Sequence, residues 1–315
     1  GNNMNNLKKV GLTALGTALV ASSAQAADFS MSATSQITLA GADNGNKGNG
    51  WSMSDSISFS ASGEMDNGFT ISHTVELDGS AGVGANTLSI DTGDMGKLTF
   101  VGGSSTSVIN AWDDLTPTAN EEAHGTGVGG TGTVDGAANG QGSDDVFILN
   151  MNLMDGMDLL ASYAPSLGTT RIEGSMEYGI KYTGIDGLAL YAAMGENKNA
   201  ANEADNTNLA AVYTMGAMSV GIQANSTDFG TGTADEDFSA IGLSYAVSDD
   251  TSVSINQSTI DFESSSLDDQ EATGVSFSYT SGGMTVSGSY GSMDNVGGTG
   301  TTDNNAYEMN VAFAF

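Results

Sequence analysis

The feature that most constrains this chain is the way its connections alternate in length. From Phe29 to Phe315, stretches in which apolar and polar residues alternate, the period of a β-strand, follow one another along the sequence. The breaks between them are short near residues 66, 94, 155, 185, 216, 249 and 282. They are long and rich in Gly, Asn, Ser and Asp near 45, 82, 120, 168, 200, 232, 266 and 298. A two-sheet sandwich has no reason to sort its loops like this, whereas an up-and-down barrel puts every short turn at one end and every long loop at the other. The pattern predicts about sixteen strands, and an even number brings the first strand back beside the last at the short-turn end.

The faces of these strands say what surrounds them. In Trp51 to Glu64, the residues Trp51, Met53, Ile57, Phe59 and Ala61 share one side. Ser52, Ser54, Ser56, Ser58, Ser60 and Ser62 make a row of hydroxyls on the other. Such a row suits water in bulk or a water-filled interior. No segment approaches the roughly 20 apolar residues of a membrane-spanning helix, so this chain would cross a bilayer as strands. The fold expected is all-β: a transmembrane antiparallel β-barrel with short periplasmic turns and long external loops. His73 falls on the apolar parity of its strand and is expected to be a packed or interface histidine.

The N-terminus reads as a secretory signal peptide over residues 1–26. Lys8 and Lys9 form the positive region, Val10 to Val20 a short apolar core, and Ala24-Gln25-Ala26 the cleavage signal. Residues 27–315 would then form one barrel domain. Removing the leader takes the formal charge of −31 to −33, a field that repels nucleic acid and phosphate. With no Cys, the chain has no disulfide framework and no thiolate for catalysis or metal binding.

The last ten residues, AYEMNVAFAF, put Tyr307, Met309, Val311, Phe313 and Phe315 on one face. Together with the leader, the sorted turns and one long loop after the fifth strand, this terminal strand resembles the sixteen-stranded trimeric porins of Gram-negative bacteria, the general diffusion type. The resemblance covers Phe29 to Phe315. It implies an outer-membrane location, a water-filled channel in each subunit, a homotrimer packed through the first and last strands, and recognition of the last strand by the barrel assembly machinery. It also implies a third external loop folded inward.

That loop spans residues 102–144, far beyond the usual connection of about 4 to 6 residues. Its first half holds Val108, Ile109, Trp112 and Leu115, which need a surface to pack on, while its second half has almost nothing to bury. The first half is therefore expected inside the barrel, with Asp113, Asp114, Glu121 and Glu122 as the acids of the constriction. On an eighth strand drawn from Arg171 to Tyr182, the residues Arg171, Glu173, Glu177 and Lys181 fall on the lumen side and are expected to pair with one another. Many general porins oppose the acidic loop with a basic cluster. Beyond the leader this chain offers only Lys47, Lys97, Arg171, Lys181 and Lys198, too few for a basic ladder.

Catalysis is not expected, since His73 and His124 lie in no nucleophile or metal motif. No cofactor is implied, although the loop acids Asp235, Glu236, Asp237, Asp268 and Asp269 offer a loose rim for Ca²⁺. The function expected is passive diffusion of small hydrophilic solutes and ions, with a preference for cations. Two other readings stay open on sequence alone: a substrate-selective channel of the same fold, and a secreted or surface β-protein that adheres or binds sugars. If the terminal strand is an assembly signal, deleting Phe315 leaves unfolded protein in the periplasm. Normal outer-membrane levels of the truncated chain, measured by fractionation, would contradict this.

Overall fold

The computed structural model describes residues 28–43, 50–79, 82–103, 107–125, 140–141, 145–199, 203–230 and 235–315. Residues 1–27, where a leader is expected, Lys47 and most of the second half of the long loop lie outside the described residues. Sixteen antiparallel strands form one closed barrel in which each pairs with its neighbours in sequence and β1 pairs with β16. The strands are β1 (Asp28–Ala42), β2 (Trp51–Glu64), β3 (Thr70–Asp78), β4 (Gly82–Asp91), β5 (Lys97–Val101), β6 (Val146–Met154), β7 (Met157–Ala164) and β8 (Ser175–Ile185). They continue with β9 (Leu188–Asn197), β10 (Ala204–Met215), β11 (Met218–Phe229), β12 (Glu236–Ser248), β13 (Thr251–Phe262), β14 (Gln270–Ser281), β15 (Met284–Asp294) and β16 (Asn304–Ala314).

Closure is made by a register running from Thr34 opposite Ala314 to Ala42 opposite Ala306. Phe315 extends it, because its N–H donates to the Ala33 carbonyl at 2.9 Å and its own carbonyl accepts the Ala33 N–H at 3.2 Å. On the lumen side of this seam, Asn310 Oδ1 accepts from Thr38 Oγ1 at 2.7 Å and from Gln36 Nε2 at 3.1 Å. At the short-turn end, Met154 pairs with Met157 around Asp155-Gly156 and Met215 with Met218 around Gly216-Ala217. Gly156 at φ 73° and Gly216 at φ 61° supply the left-handed backbone that two-residue hairpins need.

The barrel is turned inside out relative to a soluble sheet. Ile255, Val275, Phe277, Tyr279, Tyr307 and Met309 are exposed on the outer face, while Asn208, Gln223, Asn225, Asn256, Ser254 and Ser276 are buried on the inner one. Period-two alternation is what sends each set to its side. The serine row of β2 faces the lumen and bonds across strands, Ser56 to Thr34 at 3.0 Å and Ser60 to Thr74 at 2.9 Å. His73 is exposed on the outer face, opposite Ala61 and Leu88.

The eighth strand begins later than Arg171. A turn closed by the Leu167 N–H on the Arg171 carbonyl at 2.8 Å, with the Ser166 hydroxyl donating to the same carbonyl at 3.0 Å, holds residues 166–171 outside the sheet. Among the described residues, an isolated bridge to Asn199 links Arg171 to the neighbouring loop.

Phe277 lies outward near the middle of the β14 stretch between Glu271 and Ser281. Phe277→Lys is expected to cost roughly 2 to 4 kcal/mol in folding into a bilayer. Ser278→Lys, on the lumen parity and half-exposed, is expected to cost little. Ser276, of the same parity, is no neutral control, because it is 6% exposed and bonded to the loop described below. Urea titration of the folded protein in vesicles compares the two variants.

Candidate functional site

The long loop crosses the inside of the barrel as a strap. It enters after β5, forms one helical turn, α1 (Val108–Ala111), and lies against the inner wall from β7 round to β16. Val108 and Ile109 are fully buried and pack with Trp112 against Ala193, Leu115, Leu160 and Tyr191. The Trp112 ring meets Tyr191 edge-on, centroids 5.4 Å apart. Val108, Ile109, Trp112 and Leu115 are the apolar side chains that gave the first half of the loop something to bury.

Polar groups fix the strap's position strand by strand. Glu177 on β8 is 1% exposed and holds both halves of the loop. Its Oε2 accepts the Ile109 N–H at 2.8 Å and its Oε1 accepts the Gln141 N–H at 2.7 Å. The Ser162 hydroxyl on β7 donates to the same carboxyl at 3.2 Å and accepts the Val108 N–H at 3.3 Å. Asn208 on β10 donates to the Ile109 and Trp112 carbonyls. Gln223 on β11 donates to the Trp112 carbonyl at 2.9 Å and accepts the Leu115 N–H at 2.6 Å, and Asn225 donates to the Asp113 carbonyl. Farther round, the Ala119 and Asn120 N–H groups donate to Ser254 and Ser276 on β13 and β14. The Asn120 amide reaches Ser289 on β15 and Glu308 on β16.

The wall is shaped to receive it. At Gly179, Gly221, Gly242 and Gly274, all on the lumen parity, an added Cβ would collide with Trp112, Pro117, Thr116 and Ala123 respectively. Missing side chains thus make a trough in which strap backbone and wall backbone come close. The strap's far end is seated where His124 meets the Phe238 ring edge-on at 5.5 Å and Ser258 at 3.3 Å.

The four candidate pore acids gather on this strap, each half-buried. Burial, then the neighbouring carboxyls of Glu122, Asp113 and Glu121, push the Asp114 carboxyl up to about 9. Burial pushes the His124 imidazole down to about 4. The pair of His124 Nε2 and Asp114 Oδ2, 3.7 Å apart, has the geometry of a loose ion pair, yet both groups are neutral at pH 7. The two titrations act on docking with opposite signs. Asp114 holds its proton more tightly in the docked strap, so its contribution is lost as pH rises from about 4 to about 9. His124 holds its proton less tightly, so its contribution grows between about 4 and 6.5.

The wall residues grouped by the sequence do not form one cluster. Arg171 is buried outside the strand and donates its Nε to the Pro165 carbonyl, Glu173 is exposed beside it, and Glu177 is committed to the strap. Lys181 lies over the Tyr191 ring, 5.5 Å from its centroid. Among the described residues none of the four pairs with another of them, because residues 166–171 close on themselves and leave β8 to start at Ser175. Of the rim acids, Asp235 accepts the Phe229 N–H at 2.8 Å, and Glu236 and Asp237 belong to β12. The amides Asn208, Gln223 and Asn225 escaped the sequence reading. Their signal was present as amide side chains at alternate, lumen-parity positions on neighbouring strands.

A barrel that closes β1 on β16, keeps its polar face inward and carries an inward loop between β5 and β6 can be compared with known proteins. The family model described as Gram-negative porin matches residues 11–315. The chain belongs to this family. No curated protein sequence matches it. Among solved structures, OmpT, an outer membrane protein of Vibrio cholerae, is 16% identical, with 92% of this chain and 98% of that one covered at a TM-score of 0.70. The anion-selective porin from Comamonas acidovorans is 13% identical, with 92% and 100% covered at 0.71. A mutant of Rh. blastica porin is 18% identical, with 91% and 100% covered at 0.65. At these identities the likeness is one of fold. This porin is accordingly an outer-membrane protein with the architecture of a diffusion channel.

If Glu177 anchors the strap, Glu177→Ala strands two buried N–H groups at about 1 to 3 kcal/mol each. Hydrogen exchange at residues 107–125 is then expected to rise while exchange in the β-strands stays slow. Glu177→Gln, which keeps an acceptor oxygen for only one of the two N–H groups and turns an NH2 toward the other, is expected to raise exchange as well, most on the half of the loop that loses its acceptor.

Proposed function

We propose that this porin is a passive channel for small hydrophilic solutes and ions that favours cations, and that Asp113, Asp114, Glu121 and Glu122 are the acids a permeating ion meets. The observation that carries this reading is the imbalance of charge across the lumen. The acids sit on the strap, while the facing strands β1 to β3 present Ser and Thr, with Glu76 and Asp78 as further acids. Two of the bases are occupied elsewhere, Arg171 buried in its loop and Lys198 with its Nζ 3.3 Å from Glu196 and 3.0 Å from Glu203, which leaves Lys181, over the Tyr191 ring, and Lys97 on the lumen parity, fewer than the acids. Two unit charges about 4 Å apart interact by roughly 1 kcal/mol in bulk water and several times that in a narrow passage, which suffices to raise cation occupancy several-fold. Salt weakens this, since the screening length at 0.1 M is about 10 Å. One relative of similar fold is described as anion-selective. The sign of the preference therefore belongs to the residues of each lumen rather than to the fold.

The reading includes a homotrimer, secretion with removal of residues 1–26, and insertion by the barrel assembly machinery through Tyr307, Met309, Val311, Phe313 and Phe315. One structure of Vibrio cholerae OmpT is described as a trimer form, which supports the first of these. The outward Asp55 and His73 on β2 and β3 also suit a protein contact better than lipid.

Zero-current potentials across a planar bilayer in a salt gradient test the proposal. Moderate cation preference is expected at low salt, fading at high salt. It should climb from pH 7 toward pH 10 as Asp114 ionises near 9. Changing Asp113 and Asp114 to Asn together with Glu121 and Glu122 to Gln is expected to reduce it several-fold. Anion preference in the unmodified porin would refute the charge argument, and an unchanged potential in the quadruple variant would move the filter elsewhere.

A further inference from the structure

The two lysines left facing the lumen both lie on one side of the strap. Along β8 the inward positions run from Glu177, which holds the strap's backbone, to Gly179, which the Trp112 ring covers, and then to Lys181. The strand ends four residues later, at Ile185 in a short turn. Lys97 opens β5 directly after the short turn at 93–96, in one row with Asn150, Leu160 and Gly179. Both bases therefore stand between the strap and the short-turn mouth.

Neither is neutralised where it stands. Lys181 lies over the Tyr191 ring, which meets the Trp112 ring edge-on, so the aromatic root of the strap keeps the ammonium group at the wall beside it. Asp158 stands opposite Lys181 and Asp91 opposite Lys97. Asp158 accepts the Asn152 amide at 3.0 Å and Asp91 the Gly93 N–H at 2.9 Å, and among the described residues neither lysine forms an ion pair. Toward the long loops the inner wall carries the acids Glu76 and Asp78, while the described bases, Arg171 and Lys198, are engaged in their own loops. Acids border both mouths, such as Asp155 and Asp186 in short turns and Asp235 and Asp268 in long loops. The lysines make the difference between the two approaches to the strap.

We propose that Lys181, backed by Lys97, forms a basic step on the periplasmic side of the strap that makes conduction depend on direction, with more current when cations move from the outer mouth to the periplasm than when they return. This rests on the cation preference proposed for the channel. A cation driven inward gathers at the strap acids and crosses the step late, after most of the applied voltage has acted on it. A cation driven outward meets the step at the start of its path, where little of the voltage has acted. A base set across the pore from the acids, at the same depth, would leave the two directions alike.

Single-channel current–voltage curves in symmetrical KCl test it. At equal and opposite voltages in 0.1 M salt, the ratio of inward to outward current is expected to be about 1.5 to 3, falling toward 1 in 1 M salt, where the screening length is about 3 Å. The chain has no native Cys, so Ser265→Cys, at an exposed outer-loop position, marks the long-loop side of each channel by its reaction with a maleimide polymer too large to enter the lumen. Lys181→Cys is expected to bring the ratio near 1 and to raise the cation preference at zero current. Attaching an aminoethyl group to that Cys by thiosulfonate chemistry restores the positive charge and should restore the ratio. A sulfonatoethyl group should not, whereas a purely steric role would respond to both groups alike. A ratio of 1 in an unmodified porin that still prefers cations would overturn the proposal and leave the channel reading standing. A ratio unmoved by Lys181→Cys, or restored equally by both attached groups, would overturn it as well. Anion preference at zero current would instead remove the reading on which it rests, and the proposal with it.

Discussion

Everything in this porin depends on the rule that a peptide group inside a bilayer has no water to bond to. Each strand must find both neighbours, so the sheet has no permissible edge, and β1 must pair with β16 although some 270 residues separate Gln36 from Asn310. The cost of that long-range closure is met across a register of nine residue pairs, continued by Phe315 against Ala33 and reinforced on the lumen side by Gln36, Thr38 and Asn310. Once closed, the barrel separates two solvents, and alternation along each strand assigns every side chain to one of them.

The closed wall would leave a wide, featureless tube. Its interior is instead divided by a loop held with soluble-protein physics inside a membrane protein: a small apolar cluster around Trp112, a buried carboxyl at Glu177 that satisfies backbone donors from both halves of the loop, and amide side chains that receive the strap one strand at a time. At Asp114, burial and the acidic neighbours raise the affinity for a proton and so remove a charge from the strap at neutral pH.

Strand positions and faces were legible because lipid and water read the sequence with a period of two, and the trailing Gly and Asp of each short turn marked where it reversed. Trp51 to Glu64 emerges from the sequence with the bounds it has in the barrel. The eighth strand begins later than its alternation suggests, because Arg171 to Gly174 continue the alternation of the strand although the turn at 166–171 leads the chain away from the sheet. The hydrophobic residues of the loop announced that it packs against something. What it packs on was hidden, since a Gly, Ser or Asn at lumen parity looks the same under a strap as beside open water. The four polar residues once grouped on β8 show the same limit: parity fixes which solvent a residue faces, and only the folded chain decides its partner.

The one-sidedness of the strap divides the inner surface into two territories with different freedoms. Behind it, from β7 to β16, positions such as Gly221, Asn208 and Ser276 serve loop and wall together, and a change there alters shape and stability at once. Across from it, half-exposed hydroxyls of β2 and β3 bond to other hydroxyls across the strands, Ser56 to Thr34 and Ser60 to Thr74. That crescent of serine and threonine is where a lineage of such channels, or an engineer, is free to rewrite what passes through without disturbing what holds the barrel together.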